Sequence, residues 1–240
     1  MKPIASFNYD ERPANQQVNM LILHYTGMKS QEEALARLCD PAAKVSSHYV
    51  VGEAGEVFSL VDETKRAWHA GVAFWEGRAD INSCSIGVEI VNPGHEFGYR
   101  GFPAAQIDAV IALCVDICGR HPIAPSCVLA HSDVAPSRKQ DPGEKFPWQL
   151  LHAAGIGLWC DPAPLGGGRF LQRGDSGQPV EALQAMLGMY GYGIQITGFF
   201  DEQTFMVVAA FQRHFRPEKV DGVADESTII SLRNLIGMRN

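Results

Sequence analysis

The sequence predicts an α/β fold, a mixed central sheet flanked by helices, followed by a small all-α domain of three helices. Three observations carry this reading. Short apolar runs with strand character are interleaved with helical spacing over residues 1–160. The stretch Asp161-Pro162-Ala163-Pro164-Leu165-Gly166-Gly167-Gly168 has the composition of a linker and sets a boundary over 161–169. From 170 to 240 the strand signals stop and helical spacing recurs three times.

After a polar lead-in, Met20-Leu21-Ile22-Leu23 reads as a buried strand running into His24. Ser30 stands three residues before Glu33 ahead of an apolar segment, the spacing of a helix N-cap. Two strand-like runs, 47–51 and 56–61, flank Gly52-Glu53-Ala54-Gly55 and predict a hairpin. Residues 85–91 predict a further strand, closed by Asn92-Pro93-Gly94. From Pro103 the period lengthens: Ile107, Val110, Ile111, Cys114, Val115 and Cys118 fall on one helical face. Val128-Leu129-Ala130 is a short strand that delivers a loop, His131 to Gly143, and a short helix is expected around 146–154. In the tail, Asp201 and Asp225 are placed to cap the second and third helices.

Composition narrows the function. A net charge of −7 offers no basic footprint for phosphate backbones, so nucleic acid is set aside. No segment has the run of about 18 apolar residues that a membrane span needs. The first ten residues lack the apolar core of an export signal, which on its own favours the cytoplasm. Six cysteines with no Cys-x-x-Cys pair read as small buried hydrophobes.

The chemistry concentrates at two strand ends. His24, His131 and Asp141 match in number and type the three protein ligands of a catalytic zinc site, in which a fourth position is left to water. They lie far apart in the chain, however, and a histidine in such a setting has a structural reading as well. A proton acceptor is also needed, and Glu89 sits inside the apolar run Ile86-Gly87-Val88-Glu89-Ile90-Val91. Strand alternation equally well points Glu89 to solvent. Lys139 has the same two readings, oxyanion stabiliser or solvated loop lysine. His48, in Ser47-His48-Tyr49, reads as structural.

Together these motifs resemble a family. His24-Tyr25-Thr26, Ser47-His48-Tyr49, Ala67-Trp68-His69-Ala70-Gly71, Ser85-Ile86-Gly87-Val88-Glu89 and the run His131–Gly143 are similar to the type 2 zinc N-acetylmuramoyl-L-alanine amidases of the AmpD and AmiD branch, whose domain is shared with animal peptidoglycan recognition proteins. The resemblance implies zinc (Zn2+) on His24, His131 and Asp141, Glu89 as catalytic acid/base and Lys139 as transition-state stabiliser. It further implies substrate contacts at Trp68, His69, Ala70 and Asn92. The tail, with Gly174-Asp175-Ser176-Gly177 and Ala210-Phe211-Gln212-Arg213, resembles the three-helix peptidoglycan-binding domain found beside wall hydrolases.

The expected activity is zinc-dependent hydrolysis of the amide joining the lactyl group of N-acetylmuramic acid to L-alanine, in peptidoglycan or muropeptides, by a monomer. The rival on the same fold is a non-catalytic peptidoglycan or muropeptide sensor. Sensors of the family typically replace the third ligand, so Asp141 and Lys139 favour the enzyme. A wall-binding-like tail favours the cell envelope or periplasm, against the cytoplasm suggested by the N-terminus.

Overall fold

The computed structural model describes residues 1–166, 168 and 170–239. The linker expected over 161–169 therefore includes two residues, Gly167 and Arg169, that lie outside the described residues, as does Asn240 of the expected C-terminal domain. In chain order the strands are β1 (Lys2–Pro3), β2 (Tyr9–Glu11), β3 (Met20–Tyr25), β4 (Tyr49–Val51), β5 (Val57–Ser59), β6 (Lys65–Ala67), β7 (Ser85–Ile90) and β8 (Val128–Ala130). The helices are α1 (Gln31–Cys39), α2 (Ile81–Cys84), α3 (Gly94–Phe97), α4 (Ala104–Arg120), α5 (His131–Val134), α6 (Trp148–Ala153), α7 (Gln178–Tyr190), α8 (Glu202–Phe215) and α9 (Glu226–Met238).

Six strands form one mixed sheet in the order β1-β5-β4-β7-β3-β8. β4 and β5 are the antiparallel hairpin read from the sequence, and the other pairings are parallel. β3 and β7 occupy interior positions and are buried almost throughout, which is why they read as continuous apolar runs rather than as alternation. β1, β2 and β6 were not expected. They are two or three residues long and largely polar, so they carry no periodic signal, and β2 and β6 pair only with each other.

α1 starts where the Ser30 hydroxyl accepts the Glu33 N–H. α4 packs on the sheet, but its buried stripe differs from the expected one. Ile107, Val110, Cys114 and Ile117 face inward, whereas Val115 is exposed. The reason is Gln106, whose buried amide donates to the carbonyls of Val51 and Val91 and fixes the rotation of the helix. All six cysteines are free thiols. Among the described residues no helix is long and apolar enough to cross a membrane.

The tail is helical as expected, with Asp201 and Asp225 accepting the Thr204 and Thr228 N–H groups at the starts of α8 and α9. It does not have a core of its own. One apolar cluster runs from Leu21 and Ile22 in the sheet through Trp75 and Trp148 to Leu187, Phe211 and Leu232 in the tail helices. The beginning of the connecting stretch is fastened too: Ala163 N–H donates to the Ser231 hydroxyl, and the Ser227 hydroxyl donates to the Ala163 carbonyl.

Candidate metal centre

Sheet register brings the distant residues together. In the parallel ladder of β3 and β7, His24 is paired with Glu89; in that of β3 and β8, Leu23 is paired with Ala130, the residue before His131. Residues paired across neighbouring strands project from the same face, so His24 and Glu89 lie side by side at the carboxyl ends of their strands. This is where open sheets with parallel strands place their ligands. The stretch after Ala130, expected as a loop, begins with the single helical turn α5. Lys139 N–H then donates to the Ala135 carbonyl and Ser132 N–H to the Asp141 carbonyl, which folds the chain back and sets Asp141 beside His131.

His24 Nδ1 and His131 Nδ1 stand 2.8 Å apart, and Asp141 Oδ2 is 3.1 Å from the first and 2.9 Å from the second. All three residues are buried. The outer nitrogens of the rings decide what these inner atoms are. His131 Nε2 faces the Ala70 carbonyl at 3.0 Å and must donate to it, so its Nδ1 carries a lone pair. His24 Nε2 is 3.1 Å from His69 Nδ1; His69 Nε2 is 3.2 Å from the Ser85 hydroxyl, which itself donates to the Ile81 carbonyl. Along that relay His69 donates to Ser85 and accepts from His24, leaving His24 Nδ1 bare as well. Two lone pairs and a carboxylate oxygen converging on one point repel each other unless a cation lies among them. The donor set fits a metal ion.

The electrostatics agree with that assignment. Burial, reinforced by His131, lowers the His24 pKa to about 4, so the ring is neutral and free to ligate. For Asp141, burial acts upward but is overcome by the two imidazoles beside it, His131 foremost, which hold the carboxyl well below its ordinary range. Glu89 behaves oppositely. Burial, helped by Asp141, raises its pKa well above the ordinary value, with Lys139 pulling back. One carboxylate oxygen of Glu89 is buried with no hydrogen-bond partner. Glu89 is half-buried and lines the cavity beside the metal donors, so its side chain faces the site and not the outer surface of the protein.

Glu89, Lys139, His131 and Asp141 line a cavity of about 420 Å³, together with Tyr25, Arg37, Trp68 and His69. A slightly larger cavity, about 440 Å³ between Phe74, Val134 and Met206, holds none of the metal donors. The expected substrate contacts separate into two groups. Trp68 forms part of the cavity wall, held by its N–H to the Ser46 hydroxyl and its indole N–H to Asp10. His69 touches the cavity, but both its ring nitrogens are engaged in orienting His24. Gly87 makes this possible, because a Cβ there would stand 2.4 Å from the His69 ring. Ala70 is fully buried and contributes its carbonyl to His131, not its side chain to the groove. Asn92 is buried outside the cavity wall, where its amide donates to the Arg100 carbonyl and its oxygen accepts the Gly94 N–H.

Several supporting residues escaped the sequence reading. Asn82 Oδ1 accepts the N–H groups of both His69 and Ala70, and Arg138 donates to the carbonyls of Ala70 and Val72. No local pattern marks them, because each acts on a segment 12 or more residues away in the chain. Asp133 is different: an acid two residues after a ligand and next to Val134 is a visible anomaly.

His48 keeps its structural role. Its Nδ1 accepts the Gly87 N–H at 2.9 Å, and its Nε2 faces the Lys65 carbonyl at 3.1 Å, with the Arg12 guanidinium also at 3.1 Å. Burial, against the pull of the Lys65 carbonyl and with the Arg12 charge, lowers its pKa to about 4. The folded state therefore binds fewer protons here than the unfolded chain, whose histidines titrate near 6.5. The stabilisation is fully present above about pH 6.5 and is lost as pH falls towards 4, on the order of 3 kcal/mol for this one group. Urea melts of the metal-free chain at pH 7.5 and 4.5 are expected to show that loss, and a His48→Gln variant to show a smaller difference between the two.

Residues 14–144 match the N-acetylmuramoyl-L-alanine amidase family, and residues 176–232 match a peptidoglycan binding domain. The chain belongs to the N-acetylmuramoyl-L-alanine amidases. Over 230 residues it is 38% identical to the amidase AmiD of Escherichia coli K12, covering 90% of this chain and 81% of that one. The structure of E. coli AmiD with anhydro-N-acetylmuramic acid-L-Ala-D-gamma-Glu-L-Lys superposes on it with a TM-score of 0.80 at 35% identity, covering 95% of this amidase and 92% of AmiD. A shorter relative, the 1,6-anhydro-N-acetylmuramyl-L-alanine amidase AmpD of Enterobacter cloacae, is 31% identical over 167 residues, 62% of this amidase and 87% of AmpD.

Proposed function

We propose that this amidase hydrolyses the amide between the lactyl group of N-acetylmuramic acid and the L-alanine that opens the peptide stem, with zinc held by His24, His131 and Asp141. The observation that carries the reading is the pairing of that donor set with Glu89, a half-buried glutamate with one unpartnered oxygen, at one cavity. Two imidazoles and one carboxylate are ligands suited to zinc, and three protein ligands leave a position for a reacting molecule. Zinc, when bound there, supplies Lewis acidity that makes water a better nucleophile and the lactyl carbonyl a better electrophile.

The chain's own residues do the rest. Glu89, with its raised pKa, accepts the proton of the attacking water and returns it to the leaving alanine nitrogen. The Lys139 ammonium borders the same cavity and stabilises the negative charge that develops on the carbonyl oxygen. Trp68 offers an aromatic wall against which a sugar ring or the start of the stem packs. His69, Ala70, Asn82 and Arg138 hold the ligand rings in place. The likeness of residues 176–232 to a peptidoglycan binding domain supports work beside the wall polymer, in the cell envelope.

The test is to incubate the zinc-loaded protein with an anhydromuropeptide and with intact sacculi, following release of stems with a free L-alanine terminus by mass spectrometry. Release is expected with both substrates and is expected to stop on chelation and to return when zinc is restored. A protein that binds muropeptides without releasing any stem would instead be the sensor.

A further inference from the structure

The site has a support that the amidase domain does not itself contain. Asp133, in the turn α5 that begins with His131, is completely buried. Its Oδ2 accepts the Ala130 N–H at 2.8 Å and the His214 Nδ1–H at 2.6 Å, and its Oδ1 accepts the Tyr192 hydroxyl at 2.8 Å. Two of these three donors come from the C-terminal helical unit, 59 and 81 residues downstream. A buried carboxylate is tolerated only where its oxygens are satisfied, so this turn depends on the tail for that.

The donors are themselves held firmly. The His214 ring stacks on Trp148 with centroids 3.7 Å apart. Tyr192 packs edge-on against Trp75, with centroids 5.0 Å apart. Beside it, Gly191 lets the Trp75 ring approach so closely that a Cβ would stand 2.7 Å away, and the Gly191 carbonyl accepts the Glu76 N–H at 2.9 Å. The turn that receives them governs two ligands. It begins with His131, and its Ser132 N–H donates to the Asp141 carbonyl at 3.0 Å. Any shift of Asp133 is passed to both.

We propose that Tyr192 and His214 are positioning residues for the metal centre: through Asp133 they fix the turn that presents His131 and anchors Asp141, so the C-terminal unit tunes metal binding. This rests on the metal reading of the site. Residues that orient ligands from outside the coordination sphere govern metal affinity by about 10- to 100-fold when they are removed. The unit thus has a task at the catalytic centre in addition to any contact it makes with the wall.

The experiment compares Tyr192→Phe, His214→Phe and Glu76→Gln with the wild type, all as full-length chains. Glu76 pairs through its side chain with Arg239 across the same interface, outside the hydrogen bonds to Asp133, and serves as the docking control. Zinc dissociation constants are measured by competition with a chromophoric chelator, and the visible absorption of the cobalt-substituted proteins reports ligand geometry. Tyr192→Phe and His214→Phe are expected to weaken zinc binding about tenfold or more and to alter the cobalt spectrum; Glu76→Gln is expected to do neither. An unchanged zinc constant and cobalt spectrum in folded Tyr192→Phe overturns the proposal, even if the melting temperature falls, and so does an equal shift in Glu76→Gln. Should His214→Phe fail to fold, Tyr192→Phe, which loses a single hydroxyl, decides alone. A wild-type chain that binds no zinc at all removes the metal reading itself, an outcome distinct from equal binding by wild type and variants.

Discussion

Glu89→Gln lowers kcat for stem release by about 10²- to 10⁴-fold while leaving one equivalent of zinc bound. The substitution keeps the shape of the side chain but removes the proton acceptor, and Glu89 lies next to the metal donors without being one of them. Its environment explains why a carboxylate works here. Burial and the nearby Asp141 raise its pKa well above the ordinary value, which makes it a stronger base than an exposed glutamate, while Lys139 opposes the shift. The sign for catalysis follows. Activity requires the ionised form to take the water's proton, so kcat/KM falls on the acid side as Glu89 becomes protonated, and this acid limb is absent from the residual activity of Glu89→Gln. A variant with wild-type turnover, or one that has lost its zinc, would remove Glu89 from the role of acid/base.

Asp141→Ala is expected to lose metal on dialysis and to retain no measurable amidase activity. The carboxylate is the only anionic member of the donor set, and it stands within 3.1 Å of both imidazole donors. Without it two neutral rings remain, and two ligands bind zinc far more weakly than three. The contrast with Glu89→Gln is the informative part: one variant is inactive with metal, the other inactive without it. Metal content by elemental analysis, measured beside stem release, separates them. The backbone carbonyl of Asp141 still receives the Ser132 N–H, so the turn stays in place and circular dichroism should remain that of the parent chain. Full zinc occupancy in Asp141→Ala would overturn the ligand assignment.

The legible parts of this chain were those whose signal is local. The β4–β5 hairpin, the Ser30 cap of α1 and the Asp201 and Asp225 caps of the tail helices could be read because a turn or a cap is decided by residues within a few positions of one another. The rotation of α4 was misjudged because Gln106, a polar residue with no place in an apolar stripe, bonds to two strand carbonyls. At the site, the resemblance pointed to His24 and Glu89, which the fold sets side by side on neighbouring strands. It could not tell a residue lining the cavity from one serving a neighbour, and so substrate contacts were expected at Ala70, whose carbonyl serves His131, and at Asn92, whose amide serves Arg100.

By itself the sequence determined which residue types are present for metal-assisted amide hydrolysis, and that two of the candidate ligands follow apolar strands. Tertiary structure decided the rest, because the deciding interactions join residues far apart in the chain. The register of β3 against β7 set Glu89 beside His24, and burial turned an ambiguous strand glutamate into a raised, unpartnered acid. Only the folded chain shows that the stretch after residue 160 leads to helices sharing one apolar core with the sheet. Only there do Tyr192 and His214 close on Asp133, since a buried carboxylate is satisfied by whichever donors the fold brings within reach, not by those nearby in sequence.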